Sequence, residues 1–257
     1  MKMVAVVLMG LCVAIGLRGD ARHDRVLMSP GRLAGAAPPM MIWAWEEPED
    51  LRGIDPRRVG VAFLAERVFL GRDANVTPRR QRILAPDGVY AVAVVRLEAG
   101  RDFVDSNSLR TETADAVLRA GALPGVRGVQ VDFDAKDSQQ EFYADVMRRV
   151  RARLPRDMGL TMTALVSWCS EANGWMSGLP VDAAVPMYFR LGEHVGWWGV
   201  REPLCGGSVG VSTDEPWMAP ELKTGKQVYV FAPRPWNEGQ LAIVNRGGFP
   251  VDTRGVR

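Results

Sequence analysis

From residue 40 onward, short apolar runs alternate with amphipathic stretches. Eight runs read as β-strands, at 40–45, 59–70, 89–97, 126–133, 160–166, 184–189, 208–212 and 227–232. The third is crowded with β-branched residues, and the second is interrupted by the charged pair Glu66 and Arg67. Two intervening stretches have the helical period. Residues 105–120 place Leu109, Thr113, Ala116, Val117 and Ala120 on one face, and Gly121 stops the pattern. Residues 138–154 repeat Phe142, Val146, Val150 and Leu154 four apart. Ser138 and Glu141 supply a capping-box pattern at the start, and Pro155 follows the end. Two helices flanking an apolar strand make a βαβ unit, which requires parallel pairing and a strand covered on both faces. Eight such strands predict an α/β fold, a (β/α)8 barrel of the TIM type. A regular barrel needs roughly 250 residues, so this one is expected to be distorted, with several helices short or missing. The Pro- and Gly-rich segments after the first, fifth and seventh strands are where they would be lost. A doubly wound open sheet is the second reading.

The chain's start reads differently. Lys2 precedes an apolar run from Met3 to Leu17, followed by Arg18, Gly19, Asp20 and Ala21. This is the pattern of a secretory signal, and the run is short for a spanning helix, which needs roughly 20 residues. Residues 1–21 are therefore expected to be a signal peptide or an N-terminal anchor, 22–39 a linker, and 40–257 the barrel domain. Export places the protein in the periplasm or outside the cell, where a disulfide is permitted. Cys169 and Cys205 are then either a bridge or two buried thiols, and no spacing rule decides between them.

Composition removes other classes. With 32 Lys and Arg against 30 Asp and Glu, the net charge of +2 leaves no electrostatic footprint for nucleic acid. Two histidines and three cysteines are too few for a multi-His metal site. No Gly-x-Ser-x-Gly elbow, Gly-x-Gly-x-x-Gly turn or phosphate loop is present. His23 falls in the linker and His194 stands alone. No cofactor or metal is expected, although an acidic site from Asp132, Asp134 and Glu215 is conceivable. The expected partner is a carbohydrate, with no membrane contact beyond an N-terminal anchor, and the chain is expected to be a monomer.

The fourth strand carries the chemistry. Its side chains alternate, so Val129, Val131 and Phe133 face the helices, while Gln130, Asp132 and Asp134 face the barrel and its carboxyl end. Barrels keep their active sites at that end. Two carboxylates crowded there raise the pKa of one, as a general acid requires. Against this, Asp134 could simply cap the turn at Asp137 and Ser138.

Gly128-Val-Gln-Val-Asp-Phe-Asp134 resembles the strand-four signature of chitinase-like glycoside hydrolases of family eighteen, Gly-x-Asp-x-Asp-x-Glu. The resemblance implies that Asp134 stands at the acid position and Asp132 at the middle Asp. Gln130 replaces the first Asp, and Asp134 is one methylene shorter than the family's Glu. Met187-Tyr188 is similar to that family's Met-x-Tyr segment, which implies a substrate-orienting role for Tyr188. Trp236 resembles the Trp that floors the sugar subsite. A broader resemblance, through Trp43-Ala-Trp-Glu-Glu-Pro, the strand-four segment, Ser167-Trp168-Cys169 and Ser212-Thr-Asp-Glu-Pro, is to an uncharacterised bacterial family known only as a domain of unknown function. It implies a barrel without assigning an activity.

If the eight strand ends share one mouth, it collects Trp45 and Glu46, Arg96 and Glu98, Asp132 and Asp134, Ser167 and Trp168, Tyr188 and Arg190, Asp214 and Glu215, and Arg234 and Trp236. Aromatic faces mixed with carboxylates and Arg suit a carbohydrate. The expected catalytic set is Asp134, Asp132, Tyr188 and Glu215. Glu46, Trp45, Arg96, Glu98, Gln130, Trp168, Arg190, Asp214 and Trp236 are expected to contact substrate. Each has a plainer reading: Arg96 and Glu98 as a mutual pair, Trp43 as core, Asp214 and Glu215 as a turn, Trp197 and Trp198 as packing. Three functions follow. The first is an exported glycoside-hydrolase-like enzyme, the second a non-catalytic glycan-binding barrel, and the third a structural envelope protein with both aspartates tied up and no cleft.

Overall fold

The computed structural model describes residues 26–27, 37–172, 174–191, 199–215 and 226–250. In chain order the elements are β1 (Val26–Leu27), β2 (Met40–Ala44), β3 (Glu49–Asp50), β4 (Val59–Leu70), β5 (Ala74–Pro78), β6 (Ile83–Leu84), β7 (Ala91–Ala99), α1 (Asn107–Gly121), β8 (Val126–Asp132), α2 (Gln140–Arg153), β9 (Gly159–Leu165), α3 (Val166–Cys169), β10 (Ala183–Met187), β11 (Ser208–Ser212), β12 (Gln227–Phe231) and α4 (Glu238–Asn245). One sheet runs β2-β12-β11-β10-β9-β8-β7-β4-β5, and β2 also pairs with β4. Setting aside β5, which is antiparallel to β4, the other eight strands are parallel and close on themselves. The fold is the distorted (β/α)8 barrel that the strand count predicts, and the open-sheet alternative is excluded by the β2–β4 pairing.

Strand alternation divides the core in two. Met41, Trp43, Ala62, Val92, Val94, Val185 and Tyr229 fill the barrel. Ile42, Val61, Phe63, Val95, Val129 and Val131 face outward into the layer between sheet and helices. Among the described residues, full helices cover only part of the ring. α1 buries Leu109, Ala116 and Val117, and α2 buries Phe142, Val146 and Val150. Elsewhere the cover is the short α3 and α4 and a small parallel sheet of β1, β6 and β3. β5 extends the outer edge of β4. The sequence pattern did not reveal β3, β5, β6 or α4, all of eight residues or fewer.

Helix starts differ slightly from the sequence expectation. α1 is capped by Ser106, whose Oγ accepts from Leu109 N at 3.1 Å. The capping box expected from Ser138 and Glu141 is not used. The chain first makes a 3-10 turn over Asp137–Gln139, closed by Lys136 N donating to Gln139 Oε1 at 2.9 Å. Val26 and Leu27, within the stretch read as linker, pair in parallel with β6. The expected signal, the rest of residues 22–36, His194, Trp197 and Trp198 lie outside the described residues.

The charged pair in the second strand does not break it. β4 is continuous, but its register against β7 shifts between Leu64 and Glu66. Leu64 pairs with Val94, Glu66 with Val95 and Arg67 with Arg96, so Ala65 is the extra residue of a β-bulge. Strict alternation from Val61 and Phe63 would turn Arg67 outward. The bulge resets the parity and aims Arg67 into the barrel mouth.

The cysteine question is also resolved. Cys169, at the end of α3, is bonded to Cys205 in the turn before β11, with 5.9 Å between their Cα atoms.

Candidate active site

The carboxyl ends of the strands open into a cavity of about 690 Å³. Trp43 sets its floor. The indole lies against Gly210, where a Cβ would come within 3.0 Å of the ring, so glycine there makes room for it. Trp43 Nε1 donates to Gln130 Oε1 at 2.8 Å, and Gln130 Nε2 reaches Thr161 Oγ1 at 3.3 Å. The buried amide of Gln130 is thereby satisfied beneath the floor. Behind Trp43, its carbonyl accepts from Trp236 Nε1 at 2.9 Å. Trp236 N in turn donates to Glu49 Oε2 at 3.0 Å. Burial pushes Glu49 up to about 7, with the Trp236 N–H and Arg79 opposing.

One wall is charged. Arg96 on β7 donates to Asp132 Oδ2 at 2.9 Å through Nη1 and to Asp134 Oδ2 at 2.7 Å through Nη2. Asp132 Oδ1 also accepts from Thr163 Oγ1 at 2.7 Å. Arg67, delivered by the bulge, pairs with Glu98 at 3.3 Å and with Glu46 at 2.7 Å. A chain of opposite charges thus runs from Glu46 through Arg67, Glu98 and Arg96 to the two aspartates. Burial raises the pKa of Asp132, against the pull of Arg96 and Thr163. Burial also works against the Arg96 charge, but the two carboxylates hold its pKa above the ordinary value.

The opposite wall is aromatic. Phe189 and Phe231 stack with centroids 5.5 Å apart. Trp43 and Trp45 meet Phe231 edge-on at 6.5 and 6.2 Å. The guanidinium of Arg190 lies over the Phe231 ring at 5.3 Å.

Of the residues singled out by sequence, Trp45, Arg96, Glu98, Asp132, Asp134 and Arg190 line the cavity, with Ser167 beside them. Asp134 accepts from Arg96 rather than capping the following turn, and its side chain is 47 % exposed. Glu46 stands outside the lining, tied to Arg67. Tyr188 does not reach the cavity. Met187 and Phe189 line it, so strand alternation turns Tyr188 into the outer layer, where it is buried. Trp168 and Trp236 are likewise buried in that layer, Trp168 against Trp175 at 5.0 Å. Asp214 accepts from Ser212 Oγ. Glu215 Oε2 accepts from Arg190 N at 2.9 Å, so both acids shape the loop after β11. Sequence reasoning missed Arg67, Thr163, Phe189 and Phe231. Only Arg67 left a signal, as a charge inside an apolar strand. Among the described residues no cluster of metal-ligating side chains occurs, and no helix is long and apolar enough to cross a membrane.

No family model and no curated protein sequence matches the chain, so the resemblance to the domain of unknown function finds no support. Among solved structures, a Streptomyces coelicolor protein assigned as a chitinase A superposes with a TM-score of 0.53 at 12 % identity, over 75 % of this chain and 91 % of that one. The Bacillus cereus spore cortex-lytic enzyme SleL superposes with a TM-score of 0.44 at 15 % identity, over 67 % of this chain and 50 % of that one. At such identities the first likeness concerns the fold, a barrel shared with a chitinase-like protein.

Proposed function

We propose that the barrel mouth binds a carbohydrate, with sugar rings against the aromatic wall and hydroxyls on the charged wall. The observation that carries this reading is the cavity itself, in which Trp43, Trp45, Phe189 and Phe231 face Arg67, Arg96, Glu98 and Asp134 across one hollow. Flat apolar faces suit the C–H surfaces of a sugar, and preset charges give directional partners for its hydroxyls. The hollow also speaks against a purely structural envelope role, which needs no cleft.

Non-catalytic binding is the better-supported form of this reading. A general acid must turn a carboxyl oxygen toward the leaving group. Both strand-end aspartates instead accept from a single guanidinium, so an oxygen of each is engaged within the charged wall. Hydrolysis with Asp134 as the acid and Asp132 behind it is the second reading. It is favoured by Asp134's half-exposed position on the cavity wall at the end of the β8 segment. Export to the periplasm or the cell exterior accompanies either form.

The test is a panel of polysaccharides presented to the purified protein, with retention and release of reducing ends measured together. Retention without release is the expected result. Release that disappears in Asp134→Asn establishes the hydrolase instead. Neither retention nor release on any glycan overturns the carbohydrate reading.

A further inference from the structure

A second hollow of about 220 Å³ shares Arg96, Glu98 and Asp134 with the cavity and adds Phe133, Lys136 and Gln139. These three shared residues are the waist between the two hollows, and we read the two together as one cleft.

The cations of this cleft fall into two kinds. Arg67 and Arg96 are each held between carboxylates. Arg190 in the larger hollow and Lys136 in the smaller one have no carboxylate partner among the described residues. Arg190 is also held in place. Its φ of 56° makes it the one described residue other than glycine with a positive φ. Such strain persists only where the surroundings impose it, and it gathers at ligand-contacting positions. Here Glu215 fixes the backbone N–H at 2.9 Å and Phe231 supports the guanidinium from beneath. A guanidinium lying over a ring keeps its N–H fork free at the edge, the geometry that receives a carboxylate.

We propose that the cleft takes a linear acidic glycan whose sugars carry carboxylates, with Arg190 receiving one carboxylate and Lys136 another further along the chain. Asp134 and Glu98 then meet neutral hydroxyls at the waist, where a carboxylate would be repelled. This inference rests on the carbohydrate reading above and adds the charge of the sugar.

Titration calorimetry on the full chain at low salt compares oligogalacturonate with a neutral cello-oligosaccharide of equal length. The acidic oligomer is expected to bind at least tenfold tighter, with the advantage collapsing as salt rises. Arg190→Ala and Lys136→Ala are each expected to lower the acidic-to-neutral affinity ratio about three- to fivefold, the effect of losing one exposed charge pair. Arg190→Gly, which removes the charge while suiting a positive φ, is expected to match Arg190→Ala and separates charge from folding. A neutral oligomer bound as tightly as the acidic one, or a ratio unmoved in these variants, overturns the inference while leaving the carbohydrate reading intact. No binding of either oligomer, with none across the neutral panel, overturns both.

Discussion

On the β4–β7–β8 side of the mouth, side chains hold one another. Arg67, Glu98, Arg96, Asp132 and Asp134 form a continuous run of ion pairs. On the β10–β12–β2 side, rings pack on one another without ion pairs, Phe189 stacked on Phe231 and Arg190 lying over the Phe231 ring. Trp43 is fixed by Gln130 below, by room at Gly210 and by Trp236 outside the barrel. The charged wall owes its shape to bonds at its surface, whereas the aromatic wall owes it to bonds beneath. A ligand therefore competes with ionic partners on the first wall and meets packed rings under Arg190 on the second.

The largest test of this contrast removes the hub of the charged wall. Arg96→Met leaves Asp132 buried beside Asp134 without its guanidinium, at a cost of about 3–5 kcal/mol in urea unfolding. Adding Asp132→Asn is expected to restore more than half. The single variant is also expected to gain stability as pH falls, because a carboxyl whose folded pKa is already raised is raised further. A loss under 1 kcal/mol would mean that the wall does not depend on its ion pairs.

A smaller effect lies behind each wall. Burial pushes Glu66, on the outer face of β4, up to about 7 from the usual 4.5, with Arg119 opposing. Its Oε1 has no hydrogen-bond partner among the described residues, whereas Glu49 behind the aromatic wall accepts from Trp236. The native state holds the Glu66 proton more tightly than the unfolded chain. Its stabilising contribution is therefore complete below about pH 4.5 and is lost as pH rises through about 7. Glu66→Gln is expected to remove on the order of 2 kcal/mol of the decline in unfolding free energy between pH 5 and pH 8. Glu49 and Asp132, both raised by burial, contribute to the remaining slope, and an unchanged profile in Glu66→Gln would show that Glu66 does not.

The smallest effect is on the aromatic wall. Trp45→Ala is expected to weaken glycan binding by about 1 kcal/mol, roughly fivefold, with little change in Tm. A large fall in Tm would show that this ring is structural, like Trp43.

Regular alternation explains what could be read from sequence. β8 is regular from Gly128 to Asp132, so the inward aim of Gln130, Asp132 and Asp134 and the outward aim of Val129 and Val131 followed from counting by two. The barrel itself followed from eight apolar runs and two well-marked helices. Counting by two also assigns Tyr188 to the outer layer, between Met187 and Phe189, whereas its place at a strand end and a motif resemblance both point to the mouth. Trp168 and Trp236 sit near strand ends, where strand parity no longer governs side-chain direction. Arg67 was hidden because the bulge at Ala65 changes the count partway along β4. The Cys169–Cys205 bridge was open because their approach depends on the path of two loops, which spacing along the chain does not encode.

The bulge also bears on how β4 keeps its place. Slid by one residue into unbroken pairing, the strand's upper half would send Glu66 into the mouth beside Glu98 and Asp132. Arg67 would then turn into the apolar layer under α1. One setting neutralises the mouth and the other gathers four acids around one arginine while stranding a cation in hydrocarbon. The same pairs that shape a ligand surface therefore make the competing alignment of the sheet prohibitive, and a binding wall doubles as the ratchet that stops its own strand from slipping.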